Sequence, residues 1–148
     1  MAPTGWETSK QNINLAAQVW GWNNLSRLGE VFDSSCGFIL PNGAIKSPNV
    51  AWISTAKLAK ISGDMAFPNI VPDFVIELCS KSNKLQPLQE KMVEYRDNGV
   101  TLGLLLNRQD GQVEIYRLGK DVEILQTPAT IDCAEILPGF SLNLAQLW

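Results

Sequence analysis

The sequence predicts an α/β (α+β) fold in which a mixed central β-sheet is flanked by helices. Three observations carry this prediction. Segments of helical and extended periodicity follow one another as helix, three strands, short helix, strand, helix, three strands. Residues 74–106 form a strand–helix–strand unit, which implies a parallel pair joined by a right-handed crossover. An apolar content of 45% against 18% charged residues, over 148 residues, is that of one globular domain able to bury a core.

The first helix is expected over residues 8–28. Thr8 or Ser9 can cap it, Ile13, Ala16, Ala17 and Trp20 recur at helical spacing, and Gly29 can end it. Extended runs at 30–33, 37–40 and 49–54, with the turn-forming Pro41-Asn42-Gly43 between them, read as an antiparallel meander. Residues 55–62 are helix-prone but short, and 63–72 read as a loop carrying Pro68 and Pro72. Phe74-Val-Ile-Glu-Leu-Cys79 is the clearest buried strand. A second helix is expected over 87–98, with Pro87 tolerated in the first turn, Leu88, Met92 and Tyr95 on one face, and Gly99 beyond the end.

The nearly continuous apolar run at 100–106 suits a central strand covered on both sides. Asp110-Gly111 supports a hairpin into 112–118, where the alternation of Val113 and Ile115 suggests a half-exposed strand, and Gly119-Lys120 leads to another strand at 122–125. The ending, Leu137-Pro-Gly-Phe140 followed by Leu142, Leu144, Leu147 and Trp148, reads as a turn and a short closing helix.

Composition excludes several classes of chemistry. The chain has no His, so the Ser/His/Asp triad, the Cys/His dyad and the HExxH zinc site are all ruled out. Catalysis must rest on carboxylates, Lys, Tyr or a hard metal. Cys36, Cys79 and Cys133 are odd in number and widely spaced, which argues for reduced thiols over a disulfide framework or a zinc site. No stretch approaches the roughly 20 apolar residues of a membrane span, and the N-terminus lacks the build of a signal peptide, so a cytoplasmic protein is expected. A net charge of −3 opposes a generally basic nucleic-acid-coating surface, although Lys81, Lys84 and Lys91 leave room for a local basic site.

Four stretches carry a resemblance: Ser47-Pro-Asn-Val-Ala-Trp52, Pro72-Asp-Phe-Val-Ile-Glu-Leu-Cys-Ser80, Lys91-Met-Val-Glu-Tyr95 with Asn98-Gly-Val100, and Leu137-Pro-Gly-Phe140. In this order and spacing the chain resembles the Uma-type restriction endonucleases, a branch of the PD-(D/E)XK nuclease-like fold, over almost its whole length. The resemblance implies DNA phosphodiester hydrolysis at a site where carboxylates on core strands hold Mg²⁺ (or Mn²⁺) and a Lys steadies the phosphate. On the matching positions, Glu77 is the implied catalytic carboxylate and metal ligand, Lys91 the implied Lys, and Asp73 a supporting ligand on the same strand face. The family's general motif places a Lys two residues after the carboxylate. Here that position is Cys79.

Asn49 stands where the family's Pro-Asp-Val-Ala motif has Asp. An amide oxygen can still ligate a metal, but it brings no charge, so affinity for Mg²⁺ should fall sharply. Asn83 and Asn107 also stand where, on the resemblance, relatives more often have Asp. Each candidate has a simpler alternative: Glu77 satisfied by Lys or backbone donors, Lys91 paired with Glu90 or Glu94, Asp33 capping a turn, and Trp20, Trp52 and Trp148 serving core or interface. Two functions therefore compete, a divalent-metal-dependent endonuclease acting on DNA and a degenerate homologue acting as a binding or assembly protein. A homodimer suits either.

Overall fold

A computed structural model describes residues 3–61 and 67–148. Its elements in chain order are α1 (Trp6–Ser26), β1 (Gly29–Asp33), β2 (Phe38–Ile39), β3 (Ile45–Lys46), β4 (Val50–Ser54), α2 (Thr55–Leu58), β5 (Phe74–Cys79), α3 (Leu85–Asp97), β6 (Leu102–Asn107), β7 (Gln112–Arg117), β8 (Glu123–Gln126), β9 (Thr130–Asp132) and β10 (Ser141–Asn143). Six strands form the central sheet in the order β1-β4-β5-β6-β7-β8. β5 and β6 are parallel, and the other neighbours in this sheet are antiparallel, so the expected mixed sheet flanked by helices is what the chain forms.

Alternation along the strands sends side chains to two apolar layers. On one face Val50, Trp52, Phe74, Ile76, Leu104 and Ile115 pack beneath α1 and the C-terminal segment. On the other, Ala51, Ile53, Val75, Leu105 and Tyr116 pack beneath α3 through Met92 and Tyr95. Gly103 lets α3 lie close, since a Cβ there would stand 2.7 Å from the Met92 methyl carbon. Among the described residues, no helix is long and apolar enough to cross a membrane.

Several expectations change. The first helix begins at Trp6 with Gly5 as N-cap and no capping side chain, not at Thr8 or Ser9. Arg27, in the left-handed region at φ 55°, closes it by donating its N–H to Asn23 O at 2.7 Å. Gly29 instead opens β1, where a Cβ would run into the Ile53 carbonyl and the Trp52 ring. The face is displaced as well: Ile13 and Trp20 are 68% and 59% exposed, while Gln11, Leu15, Val19 and Asn23 form the buried row. Polar anchors explain this row. Gln11 Nε2 donates to Gln146 O at 3.1 Å, and Asn23 Oδ1 accepts from the buried Trp52 indole N–H at 2.9 Å.

The expected meander is replaced by direct pairing of β1 with β4, and β2 and β3 form a separate hairpin. The part of the expected short helix and loop on residues 62–66 lies outside the described residues. β7 is covered on both faces rather than half exposed, because α3 also buries Glu114 and Tyr116. The closing helix is absent among the described residues. β10 pairs with β9, Leu142 and Leu144 are buried two apart, and Leu144 N donates to Ala129 O at 2.8 Å. Cys79 and Cys133 are buried and Cys36 half-buried, all as free thiols. Burial pushes the Cys133 thiol up to about 12, so it stays protonated.

Candidate functional site

All six residues of β5 are buried, and Glu77 is the charged one among them. A carboxylate in such a place needs donors or an ion. Its Oε1 takes two donors: Lys91 Nζ at 2.7 Å and the Tyr95 hydroxyl at 3.0 Å. Lys91 and Tyr95 are four apart on α3, so one helix face offers both to the sheet. Lys91 Nζ also donates to Ser47 O at 3.3 Å and lies 5.8 Å from the centre of the Tyr95 ring.

Burial outweighs these favourable contacts and raises the Glu77 carboxyl above its ordinary value of 4.5, against the pull of Lys91, Tyr95 and the more distant Lys46. Burial, with the neighbouring Glu77 next in effect, holds the Tyr95 phenol far above its ordinary value, so it acts as a neutral donor.

Asn49 precedes β4, one step beyond the Val50↔Ile76 pair and therefore beside Glu77. Its Oδ1 accepts the Leu78 N–H at 2.8 Å. Asn49, Glu77 and Lys91 line a single cleft of about 830 Å³. Its other walls are the entry to α1, the Ser34-Ser35 turn, Ser47 and the Ser80–Asn83 loop.

Asp73 is not brought to this cleft. Its Oδ2 accepts the Ser54 N–H at 2.8 Å and its Oδ1 pairs with Lys57 at 3.2 Å, which ties α2 to the start of β5. Four residues of strand, about 13 Å, separate it from Glu77. Asn107 is fully buried and builds the β6–β7 turn, donating to Asp110 at 2.9 Å and accepting the Gln109 N–H at 3.0 Å. Asn83 accepts from the Ser80 hydroxyl at the cleft's rim. Asp33 serves a turn, accepting from the N–H and the hydroxyl of Ser35, and these bonds hold its carboxyl below the ordinary range. Glu94 pairs with Lys46 at 2.9 Å, which leaves Lys91 to Glu77.

Tyr95 and Ser47 are the partners that sequence reasoning missed. Tyr95 reads as packing because it shares its stripe with Leu88 and Met92, yet a Lys-x-x-x-Tyr pair after a buried strand acid was a usable signal.

A Mg²⁺ ion would require several oxygen ligands, more than one of them charged in a tight site. The cleft offers one carboxylate, with one oxygen already holding Lys91 and Tyr95, and one amide whose oxygen holds Leu78. Among the described residues, no group of three His, Cys, Asp or Glu is placed to hold a metal ion. The formal charges of Glu77 and Lys91 cancel, so the donor set present does not fit a divalent cation.

No curated protein matches the chain. Among solved structures, the chain is similar to the crystal structure of "a putative nuclease belonging to DUF820 from Anabaena variabilis ATCC 29413", with a TM-score of 0.82 and 16% identity. The match covers 99% of this chain and 82% of that one, and at this identity it establishes the fold. The sequence profile of the Uma2 family, described as "Putative restriction endonuclease", matches residues 1–145. On this match, the chain belongs to the Uma2 family.

Proposed function

We propose that this chain is a catalytically degenerate member of its nuclease family, one that keeps the cleft and uses it to bind a phosphodiester strand without metal-dependent hydrolysis. One observation carries the reading: where a second carboxylate would face Glu77 there is Asn49, whose amide oxygen is spent on the Leu78 N–H at 2.8 Å. The walls support binding through neutral donors. The α1 N-terminus enters the cleft with no side-chain cap, while the hydroxyls of Ser35, Ser47 and Ser80 on its walls already donate to Asp33, to the Ser34 and Cys36 carbonyls and to Asn83, so the backbone donors of that first helical turn are the ones a phosphate would meet. Helix N-termini are common partners of nucleic-acid phosphates.

Calorimetric titration of the native protein with Mg²⁺ and Mn²⁺, with Glu77→Ala as control, tests the loss of the metal. No heat at millimolar ion is expected. Binding that disappears in Glu77→Ala would overturn the reading. Fluorescence anisotropy of short labelled DNA and RNA strands tests the retained cleft, and absence of binding to both would sink that half.

A second reading, a Mg²⁺- or Mn²⁺-dependent DNA endonuclease with Glu77, Asn49 and Lys91 at the scissile phosphate, is favoured by the 2.7 Å contact of Lys91 with Glu77 inside the cleft. A homodimer suits that reading, because duplex cleavage needs two sites. Metal-dependent cleavage of duplex DNA by the native chain would establish it.

A further inference from the structure

A second carboxylate is buried beneath α3. Glu114, on β7, is 3% exposed. Its two oxygens accept from Gln89 Nε2 at 3.2 and 2.9 Å, and one accepts from the Tyr116 hydroxyl at 2.7 Å. Both partners are neutral. Burying an ionisable group costs free energy that hydrogen bonds such as these must offset.

The register shows what that geometry does. Glu77 pairs with Leu105, and Leu105 pairs with Glu114, so the two acids stand in one row of the sheet, two strands apart, on the face covered by α3. Strand spacing puts their backbones roughly 10 Å apart. α3 lies between them and presses Met92 onto Gly103 of β6. Gln89 and Lys91 are two apart and so project from opposite flanks of the helix, Gln89 toward Glu114 and Lys91 toward Glu77. Two buried carboxylates thus pin the helix on both sides.

On the Gln89 flank the helix is also tied near its C-terminal end, where Arg96 Nη1 donates to Lys120 O at 3.1 Å, so the Gln89–Glu114 contact is the one that holds this flank level with Lys91. We propose that Glu114 is a positioning residue for the cleft: through Gln89 it sets the roll of α3, and thereby keeps the Lys91 ammonium on Glu77. This rests on the reading of Glu77 and Lys91 as the centre of the cleft, but not on whether the cleft binds or cleaves nucleic acid.

The test reads the Lys91 ammonium directly, in a ¹H–¹⁵N spectrum selective for lysine NH₃⁺ groups, with assignment by Lys91→Arg. The native protein should show one slowly exchanging, shifted signal from Lys91, set apart from the exposed lysines. In Glu114→Leu that signal should be lost into the exposed group while the amide spectrum stays folded. In the exchange Glu114→Gln with Gln89→Glu, which keeps an acid–amide contact across the same gap, it should return. Should Glu114→Leu fail to fold, Gln89→Leu removes the same contact from the less buried side and decides in the same way. A folded Glu114→Leu or Gln89→Leu that keeps the native Lys91 signal overturns the proposal, as does a native protein without a distinct signal. Failure of oligonucleotide binding or of the metal titration would strike the proposed function and leave this result unaffected.

Discussion

Removing one member of the Glu77–Lys91 pair leaves the other in a place where water cannot reach it well. Lys91→Met should therefore cost about 3 kcal/mol at neutral pH, as is usual for an uncompensated buried charge, read as a shift in urea midpoint. Glu77→Gln separates a pH effect. Burial raises the folded-state carboxyl above 4.5, so the fold favours the protonated form. The sign follows: this stabilisation is complete below 4.5 and is lost as pH rises through the folded value. Denaturation of both proteins across this range should show the native chain losing stability relative to Glu77→Gln as pH rises. An unchanged difference would mean that Lys91 fully offsets burial. Asn49→Asp keeps an acceptor for the Leu78 N–H and takes the formal charge of Asn49, Glu77 and Lys91 together from zero to −1. It should acquire millimolar Mg²⁺ binding by calorimetry that the native chain lacks.

Helices and strands differ in how much of their burial is decided locally. On α3 the apolar stripe of Leu88, Met92 and Tyr95 is also the inner one, with Met92 and Tyr95 buried and Leu88 half-buried, so periodicity alone identifies its inner face. On α1 it is not, because Gln11 and Asn23 hold the inner row through residues 135 and 29 positions away. The two faces should respond oppositely to substitution. Leu15→Ala, in the buried row, should lower stability by about 3 kcal/mol, whereas Trp20→Gln should change it by less than about 0.5 kcal/mol, as is usual for exposed sites. Thermal unfolding of the two variants decides this. Equal losses would mean that Trp20 is covered by a partner in solution. β7 shows the same limit. Its Val113 and Ile115 alternation was legible, but the cover over Glu114 comes from α3, a separate element.

At the scale of the whole molecule, the net charge of −3 and a cleft whose Lys91 is already tied to Glu77 leave few cations to displace counterions from a nucleic acid. The dependence of strand binding on salt should be shallow, with a log–log slope smaller in magnitude than about 2, because each phosphate neutralised contributes about 0.7 to 0.9. Anisotropy titrations over a range of NaCl concentrations measure it. A steep slope would place the ligand on the exposed lysines, away from the cleft.

The local sequence was sufficient for the fold class, the parallel β5–β6 pair, the buried strand with its single acid, the inner face of α3, and the four motifs that carry the family resemblance. These features rest on near neighbours in the chain: hydrophobic period, turn residues and short spacings. Tertiary structure alone decided the pairing of β1 with β4, the buried row of α1, the diversion of Asp73 to Lys57 and Ser54, the use of Asn49 to hold Leu78, and the burial of Glu114 opposite Glu77. Each depends on which polar partner a side chain meets across a long sequence separation. A buried polar group goes where its hydrogen bond can be made, whatever the hydrophobic pattern around it.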